Sequence, residues 1–159
     1  MRTSAGILLY RGSPGGTAGE EHGVEVWIAH MGGPFWASRD EHAWSIPKGE
    51  FAPPEDPLAA ARREFEEEMG WPAPSAEYGL LGTFRQSSAK SVTVFTAAAD
   101  FPDRAVRSNT FALELPPGSG TFRDFPEVDR AGWFTVPEAR IKLVKGQAKV
   151  LEALLARLR

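Results

Sequence analysis

The chain has 159 residues, of which 42% are hydrophobic and 25% charged, with a net charge of −3, so one domain with a real core is expected. So mild an acidity argues against a duplex binder, whose affinity rests on basic patches that neutralise phosphates, but leaves a small polyanionic substrate open. The lack of cysteine excludes disulfides, thiolate catalysis and cysteine-based zinc sites. Ser4 to Arg11 (SAGILLYR) reads as a first strand. Its apolar run is far too short for a signal-peptide core or a membrane span, and a cytoplasmic location is expected. The following RGSPGGTAGEEHG reads as a loose hairpin connection rather than a domain linker. Val24 to His30 (VEVWIAH) alternates as a second strand. Met31 to Ala43 is irregular, and Trp44-Ser45-Ile46 is a short strand stopped by Pro47.

A helix is predicted over Pro57 to Met69. Asp56 serves as N-cap, and Pro57 takes the first helical position, where its missing N–H costs nothing. Leu58, Ala61, Phe65 and Met69 form the buried stripe, Gly70 ends the helix and Pro72 prevents its resumption. Tyr78 to Arg85, Ser91 to Ala99 and Thr110 to Leu115 read as further strands. After the turn-rich PPGSG, Gly132-Trp133-Phe134 is a short strand and Pro137 to Arg140 starts a helical turn. Leu151, Leu154, Leu155 and Leu158 line one face of a last helix. With 16 glycines, 13 prolines and no internal repeat, the expectation is a single mixed α/β (α+β) domain over residues 1–159.

On the predicted helix Glu64, Glu67 and Glu68 stand at i, i+3 and i+4, which puts them on one face. Like charges at that spacing repel, so something should compensate them. A hard cation such as Mg²⁺ takes oxygen ligands from a few carboxylates, substrate phosphates and water. The plainer alternative is a solvated acidic face balanced by Arg62 and Arg63.

The wider spacing decides between them. Gly49, five residues, Glu55, seven residues, Arg63-Glu64-Phe65, one residue, Glu67-Glu68, one residue, Gly70-Trp71: this stretch, residues 49–71, resembles the Nudix box at every fixed position. The resemblance implies the Nudix fold, a mixed sheet sandwiched between helices, with the box as loop, helix and loop. It also implies Mg²⁺- or Mn²⁺-dependent hydrolysis of a nucleoside diphosphate linked to another group. By the same resemblance Glu64, Glu67 and Glu68 are metal carboxylates and the Gly49 carbonyl is a backbone ligand. Glu55 and Arg63 then form an ion pair that fastens loop to helix, and Glu66 falls at a free position. Glu67 or Glu68 is a candidate to accept the proton of a metal-activated water.

Outside the box, Phe125-Pro126-Glu127-Val128 before Trp133-Phe134 resembles a loop where many Nudix enzymes carry one more glutamate. Glu127 is therefore the candidate extra ligand or base, with Glu114 as its rival. Trp44-Ser45-Ile46-Pro47-Lys48-Gly49 and Lys90-Ser91-Val92-Thr93-Val94-Phe95 resemble segments of dinucleoside polyphosphate hydrolases in that family. Lys90 is expected to face the phosphate chain, with Lys48 and Arg85 as secondary phosphate contacts. Trp44, Trp36, Phe84 and Phe35 are candidates for stacking a base. The expected partner is a small nucleotide, with no stable nucleic-acid complex and no membrane. A dinucleoside polyphosphate leads among substrates, ahead of a nucleoside triphosphate cleared by a housecleaning enzyme. A nucleotide sensor without turnover ranks third, because the box carboxylates are complete.

Overall fold

The computed structural model describes residues 1–17 and 19–159, so Ala18 of the expected hairpin connection lies outside the described residues. Among these, seven strands form one mixed sheet around β1 (Arg2–Gly12). β1 pairs antiparallel with β2 (Val24–Met31) and with β4 (Lys48–Glu50), and parallel with β6 (Lys90–Ala98). β3 (Trp44–Ser45) and β9 (Val128–Thr135) flank β2, while β5 (Gly79–Ser87) runs antiparallel beside β6. β7 (Thr110–Glu114) and β8 (Phe122–Pro126) make a separate two-stranded ribbon.

Helices cover both faces of the sheet, as the unbroken apolar run in β1 requires. Leu8, Val26, Ile28, Val92 and Val94 pack against α2 (Val136–Lys142) and α3 (Ala148–Leu158), which contribute Val136, Ala139, Val150, Leu151, Leu154 and Leu155. On the opposite face Ile7, Leu9, Trp27 and Ala29 pack against α1 (Pro57–Met69) through Ala60, Ala61, Phe65 and Met69. Leu58 differs from expectation. In the first turn it keeps part of its surface in water, while the smaller Ala60 is buried. No helix among the described residues is long and apolar enough to cross a membrane.

The α1 boundaries are those expected, for local reasons. The Asp56 carboxylate accepts the Ala59 N–H at 3.0 Å, satisfying a donor the first turn leaves free. Gly70 turns left-handed at φ 78° and its N–H reaches the Glu66 carbonyl at 2.7 Å, a conformation that costs glycine little. Among the differences from the sequence reading, β4 continues the chain as a strand past Pro47, where none was expected. β9 begins at Val128 rather than Gly132, and β8 was not expected at all. FRDFP carries two charges and a proline, and it pairs only with β7 in a largely exposed ribbon. No buried face imposes an alternating pattern there.

Candidate active site

β4 and α1 meet along a groove of about 480 Å³. Glu64, Glu67 and Glu68 enter it from α1, Lys48 and Gly49 from β4, Arg2 and Ser4 from β1, Lys90 from the start of β6, and Glu127 from just before β9. Carboxylates and cations therefore face one another across a shared cleft. The sheet register brings the two outer cations together, because Arg2 pairs with Lys90.

The Gly49 backbone lies directly against the Glu64 carboxylate. A Cβ at position 49 would overlap that group, so glycine is required for the close approach. The Lys48 N–H donates to Glu68 Oε1 at 3.2 Å. Burial pushes the Glu68 carboxyl up to about 8, although the Lys48 ammonium and N–H pull it down. Burial likewise pulls the Lys48 ammonium below its ordinary range, against the attraction of Glu68. Glu64 is raised first by burial and then by repulsion from Glu67, with the Arg63 hydrogen bond opposing both.

Arg63 binds both Glu55 oxygens as a fork, Nε at 2.8 Å and Nη2 at 2.9 Å, which ties the box loop to α1. Its Nη1 also donates to Glu64 at 2.8 Å and to Glu67 at 3.2 Å. Arg63 thus also balances the acidic face, as the plainer reading of the charge pattern has it, while Arg62 does not take part. One guanidinium partly screens the like charges that the helix sets one turn apart. Arg63→Lys keeps the charge but loses the fork. We expect that variant to lower the melting temperature and weaken Mg²⁺ binding together, by roughly tenfold or more in affinity. Metal titration beside thermal melting checks this, and a change confined to KM would assign Arg63 to substrate instead.

The donor set suits a hard divalent ion. Its members are oxygens, from Glu64, Glu67, Glu68 and Glu127, with Gly49 lining the same groove. Glu68 is buried beyond what its protein partners compensate, and a cation at that position would relieve the cost. Among the described residues no three acidic or histidine side chains yet converge on a single point, since Glu64 and Glu67 lean on Arg63 and Glu68 on Lys48.

Two expected substrate contacts, Trp44 and Arg85, and the rival acid Glu114 lie elsewhere. Trp44 is 3% exposed, its indole N–H donates to Asp40 at 2.9 Å, and its ring packs edge-on against His30 and Phe134. It belongs to the core beneath α2 and α3, and the next residue, Ser45, reaches the groove wall. A strand alternates faces, and the phase here sends the indole inward. Arg85 is exposed on β5, outside the groove. The Glu114 carboxylate accepts the Gly118 and Gly120 N–H groups at 2.6 and 3.1 Å, closing the ribbon's own turn. Of the other aromatics, Trp36 and Phe84 pack against the α2–α3 core, while Phe35 is exposed. Arg2 and Asn109 line the groove but carry no motif, so only their neighbours in space mark them.

The NUDIX domain family model matches residues 3–154. The chain belongs to the NUDIX domain family. As a Nudix domain with its box carboxylates in one groove, it is placed among the pyrophosphohydrolases. None of the curated proteins matches it significantly. Its Nudix fold is shared with a C. elegans Ap4A hydrolase in a binary complex, at 21% identity and TM-score 0.65 over 99% of this chain and 98% of that one. A Nudix hydrolase from M. smegmatis is similar at 18% identity and TM-score 0.59, covering 98% of this chain and 86% of that one. A MutT protein from Methanosarcina mazei follows at 16% identity and TM-score 0.56, with 98% and 93% covered.

Proposed function

We propose that this Nudix domain hydrolyses a pyrophosphate bond in a nucleoside diphosphate derivative, with Mg²⁺ or Mn²⁺, by attack of water on phosphorus. The observation that carries the reading is the groove itself, in which Glu64, Glu67, Glu68 and Glu127 face Lys48, Lys90 and Arg2. A pyrophosphate resists hydroxide because its own charge repels the nucleophile. Lys48, Lys90 and Arg2 attract the polyphosphate and hold it along the cationic wall. Divalent metal supplies charge neutralisation of the phosphoryl oxygens and a water of lowered pKa. Glu64, Glu67, Glu68 and Glu127, with the Gly49 carbonyl, would hold it. A glutamate free of direct ligation, from Glu67, Glu68 or Glu127, accepts the proton of the attacking water.

A dinucleoside polyphosphate is the favoured substrate. The segments around Lys48 and Lys90 support it, and so does the end-to-end similarity in fold to the C. elegans Ap4A hydrolase. A panel of dinucleoside polyphosphates, nucleoside triphosphates and nucleotide sugars with Mg²⁺, the products separated by chromatography, tests the substrate class and the bond cut. Turnover should vanish in excess chelator and return with added Mg²⁺. Undiminished turnover in chelator would sink the metal-dependent mechanism.

A further inference from the structure

The stretch between β6 and β7 ends in Arg107-Ser108-Asn109, which belongs to no helix or strand yet joins two walls of the groove. On one side its N–H groups reach the last turn of α1. Arg107 donates to the Met69 carbonyl at 2.9 Å and Asn109 to the Glu67 carbonyl at 2.8 Å. Those carbonyls are among the acceptors that a helix end leaves without intrahelical partners. On the other side the Asn109 carbonyl accepts the Glu127 N–H at 2.9 Å. Ser108 Oγ accepts the Val128 N–H at 3.0 Å and donates its proton to the Asn109 carbonyl at 2.7 Å. The Glu127 carbonyl accepts the Gly32 N–H at 2.9 Å, so the peptides on both sides of this residue are held.

The arrangement matters because Glu127 and α1 share no sheet pairing. Glu127 precedes β9, which is registered on β2, whereas Glu67 and Glu68 stand on a helix packed across the opposite side of the groove. The strap 107–109 spans that gap, bonding α1 with its N–H groups and the Glu127 loop with a carbonyl and a hydroxyl. A hydroxyl suits the position since it accepts and donates at once.

We propose that Ser108 is a positioning residue, whose hydroxyl fixes the Glu127–Val128 peptide against the last turn of α1 and so sets where the Glu127 carboxylate stands. The proposal rests on the reading of Glu127 as a carboxylate of the reaction. Ser108 is only half-buried. Water can replace its hydroxyl at the Val128 N–H, so its removal disturbs geometry more than stability.

The test compares Ser108→Ala, Ser108→Thr, Glu127→Gln and the double variant. Amide exchange on metal-free protein reads the hydrogen bond directly. The Val128 amide should exchange about tenfold faster in Ser108→Ala, the loss of one net hydrogen bond, and near the wild-type rate in Ser108→Thr. Turnover is read with diadenosine tetraphosphate and Mg²⁺, or with a nucleoside triphosphate if that is cleaved faster. Ser108→Ala should lose about tenfold in kcat at unchanged KM and melting temperature, the scale typical of groups that orient metal ligands. Ser108→Thr should restore it. In the Glu127→Gln background the alanine should add little, because the group it positions is already disabled. Wild-type kcat in Ser108→Ala beside a damaged Glu127→Gln overturns the proposal, as does a loss that adds in full to that of Glu127→Gln or tracks the melting temperature. An unchanged Val128 exchange rate also overturns it. A silent Glu127→Gln instead removes the reading of Glu127, and the positioning role falls with it.

Discussion

Glu67→Gln is expected to lower kcat by about 10³-fold while the protein folds normally, since a metal-directed charge is worth several kcal/mol and each 1.36 kcal/mol is tenfold. Glu67 lines the groove and shares Arg63 Nη1 with Glu64. Glutamine keeps the shape and one acceptor but removes the charge. Arg63 still grips Glu55 and Glu64 after the change, so the box loop should remain fastened. The control is the neighbouring Glu66→Gln. Glu66 is exposed outside the groove, and its substitution should leave turnover within about twofold, as surface changes usually do. Steady-state kinetics and melting curves of the two variants decide the matter. If they behave alike, Glu67 has no special role on its face.

Gly49→Ala should also cost activity, less of it and by a different route. The added methyl would overlap the Glu64 carboxylate, so one of the two must move. The atoms it meets are the far end of a flexible side chain, which makes Glu64 the group that yields. Melting temperature should therefore stay close to wild type. Affinity for Mn²⁺ should fall about tenfold or more and kcat with it, as when a metal ligand loses its orientation. Calorimetric titration of Mn²⁺ into both proteins measures this. Unchanged affinity would show that Glu64 can ligate from elsewhere, and a collapse in stability would make Gly49 a structural glycine only.

α1 and its carboxylates were legible in the sequence because their determinants are local. Asp56, Pro57 and Gly70 act within one turn of the residues they cap, and a 3.6-residue period puts Glu64 beside Glu67 and Glu68 whatever else the chain does. The strands were legible to within a few residues where the core covers them, as in β1 and β2. β8 shows the opposite case. Without a core beneath it, FRDFP has no pattern to read.

Which face a strand turns toward the groove was decided only in three dimensions. Trp44 and Ser45 are neighbours, but nothing local says whether α1 or the α2–α3 pair will cover the indole, and packing sent it to the latter. Arg85 and Lys90 are five residues apart across a hairpin, yet only Lys90 faces the groove, since β5 is the outer strand beside β6. Arg2 entered because parallel pairing sets it opposite Lys90, a contact between residues distant in sequence that no local period encodes. The same holds for Arg63. Its fork to Glu55 follows the box spacing, whereas its reach to Glu64 and Glu67 depends on rotamers chosen in the folded groove. By itself the sequence determined the carboxylate helix and the residue types of the site, because short-range geometry dictates both. The cationic wall, the Ser108 strap and the burial that lifts Glu68 were decided by tertiary structure, because each depends on segments that meet only when the sheet closes.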